Sequence, residues 1–289
     1  IGSGMGLPLL APIMIADEQL ARCLEMIDEA DGLLVTAGAG LGVDSGLPDF
    51  RGPQGLWRHY PGPAADRLSF EEIASPASFR RDPYQAWGFY GHRLQLYRDT
   101  SPHAGFAMLD EIGARLAQGS FVFTSNVDGQ FHKAGFAAER ICEIHGSIHF
   151  LQCVTPSCAS SIWAADGFLP AVDVHACRLL NALPQCPRCG ALARPNILMF
   201  GDGDWLEART AAQYHALAAW LDRVQRPLVI EIGAGTSVPS VRRMSDQFER
   251  LIRINPDAPA VRSRAAVSLA MGGLAALSCI HAAWQGAAG

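Results

Sequence analysis

Gly38-Ala39-Gly40-Leu41-Gly42-Val43-Asp44-Ser45-Gly46-Leu47-Pro48-Asp49-Phe50-Arg51-Gly52 is the stretch around which the chain is organised. Just before it, Gly32-Leu33-Leu34-Val35-Thr36 is a short apolar run that reads as a buried parallel strand. Glycines at 38, 40 and 42 then let the backbone turn sharply and approach phosphates without side chains in the way. A glycine-rich turn after a strand is by itself weak evidence, since many tight turns look alike. The residues that follow are more informative. A dinucleotide-binding dehydrogenase runs from such a turn straight into a long helix, with an acidic residue about twenty positions on. Here Gly46 and Pro48 interrupt the helical pattern, and Asp49-Phe50-Arg51-Gly52 places an acid, an aromatic and a guanidinium in a loop beside the cradle.

Working outward, strand-like runs alternate with helical periods and glycine turns, without an internal repeat. Ala16 to Ala30 has a helical period, as do Pro83 to Arg98, Ala104 to Ala117 and Glu207 to Gln225. Phe121 to Thr124, Ile141 to Ile144, Pro227 to Ile232 and Leu251 to Ile254 read as buried strands, and Asn196 to Phe200 reads as the chain returning to the sheet. The second strand runs into Ser125-Asn126-Val127-Asp128, the third into His145-Gly146, and Pro227 to Ile232 into Gly233-Ala234-Gly235. Polar residues at the carboxyl ends of parallel strands sit where open α/β sheets bind ligands. The expected fold is α/β: a Rossmann-like doubly wound parallel sheet over 16–149 and 196–289. A small inserted zinc-binding domain is expected over 150–195, with part of 53–100 as a cofactor-binding loop and helical module.

The small domain is expected because cysteines and prolines replace periodic segments there. Cys153 and Cys158 lie five positions apart, and Cys186-Pro-Arg-Cys189-Gly190 is a two-residue knuckle. Two such pairs suit tetrahedral thiolate coordination of one structural zinc, with no open position for chemistry. Disulfides are the alternative, disfavoured in a reducing compartment. Cys177 is the nearest spare thiol, and Cys23, Cys142 and Cys279 read as buried small hydrophobes.

At 289 residues, 49% hydrophobic and with a net charge of −5, the chain has ample material for a core and no electrostatic case for nucleic-acid binding. The longest apolar run, near Leu7 to Ala16, is too short to span a bilayer and lacks a basic flank. A cytoplasmic protein without membrane contact is expected, and Ile1-Gly2-Ser3-Gly4 before Met5 reads as an expression scar.

The motifs together resemble the sirtuin (Sir2) family, whose pattern is G-A-G-x-S-x-x-S-G-I-P-D-F-R-G. The match covers Gly38-Ala39-Gly40, Ser45-Gly46, Pro48 and Asp49-Phe50-Arg51-Gly52, and departs at Gly42. The resemblance spans roughly residues 20 to 280. It implies an NAD-dependent protein-lysine deacylase that consumes NAD as a cosubstrate. It makes His145 the catalytic base, has Asn126 orient the ribose and a water, and has Asp128 accept from the nicotinamide carboxamide. The implied cofactor-binding residues further include Asp49, Phe50, Arg51, Ser125, the Gly233-Ala234-Gly235 turn and Asn255. The four-cysteine module is part of the same pattern, and Met199-Phe200-Gly201 resembles a segment that holds an extended acyl-lysine peptide by strand addition. Tyr90 and Arg93 resemble the pair of a subclass accepting acidic acyl groups such as succinyl or malonyl; their spacing alone equally suits an ordinary amphipathic helix.

Departures are visible. Ser125 replaces a glutamine, Gln130-Phe131 replaces an L-H pair, and Pro102-His103-Ala104-Gly105-Phe106 replaces P-N-x-G-H. Two expected histidines are thus both phenylalanine, which suggests correlated repacking. Two other readings stay open: ADP-ribosyl transfer to a protein nucleophile or water, and a module that binds NAD or ADP-ribose without turnover.

Overall fold

The computed structural model describes residues 15–48, 68–158 and 161–287. Asp49, Phe50 and Arg51 lie outside the described residues.

Six parallel strands form the main sheet: β1 (Gly32–Ala37), β2 (Ser120–Thr124), β3 (Ile141–Glu143), β9 (Pro227–Ile232), β10 (Leu251–Ile254) and β11 (Val267–Leu269). Their spatial order is β11-β10-β9-β1-β2-β3. The first three strands therefore run one way from β1, and the last three run the other way. The reversal lies between β1 and β9, and such a switch point opens a crevice beyond the carboxyl ends of the strands.

Every residue of β1 is buried, as a central strand covered on both faces requires. Leu33 and Val35 face a core with α1 (Asp17–Glu29), α5 (Ala104–Arg115) and α9 (Gly273–Ala287). Leu34 points to the opposite core, against Leu217 and Trp220 of α7 (Ala208–Leu221). Each such side chain, once buried, contributes about 1.5–3 kcal/mol. This two-sided burial is what holds the carboxyl edge of the sheet rigid.

A second core belongs to a smaller unit. Short helices α2 (Phe70–Ile73) and α3 (Pro76–Arg81) lead into α4 (Pro83–Asp99), whose amino end is capped by Asp82 accepting from the Tyr84 and Gln85 N–H groups. Trp87, Phe89, Tyr90 and Leu94 of α4 pack with Ile148, Leu151, Leu179 and Met199. The partners come from β4 (Gly146–Cys153), β7 (Arg178–Leu179) and the segment after β8 (Ala193–Ile197). Trp87 Nε1 donates to the Ala193 carbonyl at 2.9 Å, tying helix to strand. The small unit thus draws on two separate stretches, 70–99 and 146–199.

The structure departs from the sequence reading at two places. The strand expected to rejoin the main sheet near Asn196 instead pairs antiparallel with β4, as β8, inside a three-stranded sheet of the small unit. The run read as that strand, Asn196 to Phe200, takes in only the last two residues of β8, and its apolar part lies mainly in the loop beyond, where Leu198 and Phe200 are exposed. The main sheet also continues past Ile254 to β11, whose three residues are too few to show a period.

Candidate active site

The two glycine turns meet backbone to backbone. Gly38 N–H donates to the Ile232 carbonyl and Gly40 N–H to the Gly233 carbonyl, at 3.0 and 3.1 Å. A Cβ on Gly38 would stand 2.7 Å from the Gly233 oxygen and 2.8 Å from the Ala234 Cα, so no larger residue fits there without moving a turn. Gly233 has φ +63°, and a Cβ on it would lie 2.4 Å from the Gly40 carbonyl carbon. Ala39–Ser45 is a single short 3-10 helix, closed by Gly46 at φ +85° rather than extended into a long helix. Gly38 and Gly233 thus let the two turns close on each other at the switch point.

The loop after β2 is locked onto this seam. Ser125 N–H donates to the Ala37 carbonyl, and Asn126 Nδ2 to the Gly38 carbonyl at 3.1 Å. Thr124 Oγ1 receives the Asn126 N–H and donates to Ala37. Next along, Asp128 is buried, its Oδ1 accepting from the Gln130 N–H at 2.9 Å. Burial above all, with Glu143 in the same direction, pushes the Asp128 carboxyl up to about 6, against the pull of the Gln130 N–H and Arg93. A carboxylate so placed is a strong acceptor for an amide NH2.

His145 occupies the turn between β3 and β4. Burial lowers its pKa below the ordinary imidazole value, opposed by a hydrogen bond to the Ser125 backbone, so near neutral pH the ring is an uncharged base. Because that contact uses the backbone of Ser125, the serine found there in place of glutamine leaves it intact. The His145 carbonyl accepts from the Leu198 N–H at 2.9 Å, which joins the base to the loop after β8.

That loop carries Met199, Phe200 and Gly201. Phe200 N–H donates to the Ala74 carbonyl at 3.0 Å, Gly201 has φ +64°, and Leu198 and Phe200 are partly exposed. Asp202 holds the loop in shape: its carboxylate pairs with both Nη atoms of buried Arg194 at 2.8 Å and accepts from the Met199 and Asp204 N–H groups. Asp202 closes the segment read from the sequence as Met199-Phe200-Gly201-Asp202, but its pairing with Arg194, eight positions earlier, did not stand out there. His149 was likewise missed; its Nε2 donates to the Asp128 carbonyl at 2.8 Å and so positions the Asp128 loop.

Tyr90 is buried and stacks on Phe79. Arg93 is also buried, with Nε and Nη2 both donating to Tyr97 Oη at 3.0 and 2.7 Å. Its guanidinium lies within 5.9 Å of the Tyr90 ring centre, so the two residues do share one side of α4. Asn255 is buried at the end of β10. Its Nδ2 donates to the Ala234 carbonyl, and its Oδ1 accepts from the Asp257 and Ala258 N–H groups. It braces the second glycine turn through these bonds. Phe106 and Phe131, the two residues standing where histidines were expected, pack edge to face with ring centres 5.0 Å apart.

At the far end of the small unit, the Sγ atoms of Cys153, Cys158, Cys186 and Cys189 all lie within 4.8 Å of one another. The closest approaches are 3.6 Å (Cys153 to Cys189) and 3.8 Å (Cys158 to Cys186), far longer than a disulfide's ~2.05 Å. A tetrahedron with Zn–S bonds of about 2.3 Å has edges of about 3.8 Å, so the cluster fits zinc. Cys177 is not part of it; its sulfur sits 4.0 Å from the Gln85 carbonyl of α4.

The Sir2 family model matches residues 38–239, the span holding both the glycine seam and the four thiols. The chain belongs to the Sir2 family. Among relatives of this Sir2 chain, the NAD-dependent protein deacylase of Pyrococcus furiosus is 32% identical over 188 residues, 63% of this chain and 66% of that protein. The mitochondrial NAD-dependent protein deacylase sirtuin-5 of Danio rerio is 31% identical over 195 residues, 62% of this chain and 59% of that one. The matched stretches thus span just under two thirds of these relatives' own lengths. The fold extends further: a crystal structure of a Sir2 homologue–NAD complex superposes with a TM-score of 0.70 over 96% of both chains, at 24% identity.

Proposed function

We propose that the chain is an NAD-dependent protein-lysine deacylase. The observation that supports it best is the convergence of an uncharged imidazole, an amide and a carboxylate beside the glycine seam, at the carboxyl ends of adjacent strands. NAD supplies an electrophilic ribose carbon, from which the acyl oxygen of the substrate displaces nicotinamide without hydride transfer. Gly38, Ala39 and Gly40 line the pyrophosphate site without side chains in the way, with the Ala39 N–H as donor because those of Gly38 and Gly40 hold the Ile232 and Gly233 carbonyls of the facing turn, which Asn255 braces. Asp128 accepts from the leaving carboxamide and fixes its orientation. Asn126, pinned to the Gly38 carbonyl, orients the ribose. The His145 nitrogen not bonded to Ser125 takes a proton from a ribose hydroxyl. Asp49, Phe50 and Arg51 are assigned to closure over the cofactor by their sequence pattern.

The substrate side is the cleft between the two units. An extended acyl-lysine peptide adds to the backbone carbonyls of Met199, Phe200 and Gly201, since the Met199 and Phe200 N–H groups are held by Asp202 and Ala74, and main-chain contact suits recognition of many sequences. Tyr90 and Arg93 are assigned to the acyl group, with a succinyl or malonyl carboxylate sharing Arg93 with Tyr97. The zinc-type cluster holds the small unit and leaves no ligand position open. No helix among the described residues is long and apolar enough to cross a membrane. Thiols that serve a metal favour a reducing compartment, in keeping with a cytoplasmic location.

ADP-ribosyl transfer and plain NAD binding are weaker readings. The departures that motivated transfer are Ser125, Gln130-Phe131 and the Pro102 to Phe106 segment; Ser125 meets His145 through its backbone, and Phe106 and Phe131 pack on each other in the core behind the sheet. Replacing His145 by alanine tests the assignment: peptide deacylation should fall by about two orders of magnitude or more while NAD binding persists. A variant that deacylates at the parent rate refutes His145 as the base.

A further inference from the structure

Beyond the seam, at the outer edge of β3, the structure holds a cavity of about 670 Å³ between the small unit and the main sheet. It shares with the site described above Asp128, His149, which holds the Asp128 loop, and Tyr97, which accepts from Arg93. Arg209 and Gln213 of α7 line one wall, α6 (Gln130–Lys133) contributes His132 and Lys133, and β4 contributes Ser147 and His149.

The walls are rich in donors, and several acceptors are already engaged. The Glu143 carboxylate behind the wall is paired with Arg209 Nη2 and lies 3.4 Å from His132 Nε2. The Glu143 N–H holds Gln213 Oε1 at 3.1 Å, which leaves the Gln213 NH2 to face outward as a donor. Ser147 Oγ accepts from the His149 N–H, so its own proton is available. Lys133 Nζ donates to the Arg98 and Thr100 carbonyls and retains a third hydrogen. Arg209 lies over the Phe150 ring at 4.2 Å, and its buried Nη1 has no partner among the described residues. Arg98 and Lys133 have no carboxylate within ion-pair distance among the described residues. Arg98 spends both Nη atoms on the Phe168 and Ala165 carbonyls, with Asp99 and Asp166 near it, so Lys133 and Arg209 are the cationic donors beside Asp128.

Arg209 lines the cavity and carries more N–H donors than its pairing with Glu143 uses, so an anion there meets a charged donor wall. We propose that this cavity binds a small organic anion, a phosphomonoester or a carboxylate, on Arg209, Gln213, Ser147 and Lys133. Its aromatic floor, Phe150, suits a planar body. If the deacylase reading holds, occupancy places a second negative charge beside Asp128 and weakens the grip on nicotinamide. Binding itself does not rest on that reading.

The test is titration of the full chain with phenyl phosphate and with benzoate, followed by calorimetry and by the ring-proton resonances of His132 and His149. At least one probe should bind one-to-one and shift both resonances; which one binds tells phosphate from carboxylate. Arg209→Lys keeps a charge for Glu143 but removes the second donor, and should weaken binding about tenfold. Ala138→Trp fills the cavity from its rim without touching these hydrogen bonds, and should abolish binding even if the arginine variant fails to fold. No heat and no shift at millimolar probe, or binding unchanged in Ala138→Trp, overturns the proposal. None of these readouts depends on turnover, so this proposal and the deacylase reading fail separately.

Discussion

Replacing Asp202 by alanine strikes the loop that joins His145 to the proposed peptide-binding segment. The Arg194 and Asp202 side chains are 2% and 0% exposed, and their two N–O contacts are both 2.8 Å. Asp202 also receives two backbone N–H groups, from Met199 and Asp204. Its removal leaves a buried guanidinium with only the weak 3.4 Å contact from Nη1 to the Ile197 carbonyl. Breaking one partner of such a pair costs about 3–5 kcal/mol, a large share of a typical ~5–15 kcal/mol stability. Urea unfolding followed by far-ultraviolet circular dichroism reads that loss directly. Removing both charges together, as Arg194→Met with Asp202→Leu, should recover most of it, because no uncompensated charge remains. The double variant should still have a raised KM for peptide, since Met199 and Asp204 lose their acceptor. A single variant that loses less than ~1 kcal/mol refutes the charge argument. A double variant no more stable than the single would trace the loss to packing.

Three further outcomes follow from the geometry. Gly38→Ala forces a methyl group against two backbone atoms of the facing turn, and should cost about 1–3 kcal/mol while sharply weakening NAD binding measured by calorimetry. Cys186→Ser, or a strong chelator, should release one zinc per chain by metal analysis and lower the melting temperature, and a variant that keeps full zinc and stability contradicts the four-thiol site. The rate of nicotinamide release should fall as pH drops through about 6, because Asp128, with its raised pKa, takes up a proton and can no longer accept from the carboxamide in the same way. Asp128→Asn removes the carboxyl's proton uptake and should flatten the part of the fall near pH 6 that Asp128 carries, in single-turnover measurements.

Much of this arrangement was legible in the chain because it is carried by local sequence. A buried strand followed by glycines has few structural solutions, and Cys186-Pro-Arg-Cys189 makes its knuckle within a few residues. The interrupted helix after Gly40 was readable for the same reason, since Gly46 closes it within one short turn. What stayed hidden depends on contacts between distant segments. The run from Asn196 to Phe200 looked like a return to the parallel sheet because a short apolar run does not tell a strand from the loop that follows one, here β8 and the residues beyond Ile197. Asn255 read as a ligand contact, yet its hydrogen bonds to Ala234, Asp257 and Ala258 exist only once β9 and β10 lie side by side. The replaced histidines were visible as a pair, and their contact in the folded core gives the pairing its physical reason.

The account turns most directly on mass spectrometry of acetyl-, crotonyl- and succinyl-lysine peptides incubated with the purified protein, with and without NAD. It predicts NAD-dependent loss of an acyl group, with one nicotinamide and one O-acyl-ADP-ribose formed for each lysine freed, and succinyl among the groups removed if Tyr90 and Arg93 read the acyl carboxylate. Nicotinamide released while every acyl group stays on its lysine would contradict it, and so would NAD and peptides that both remain intact.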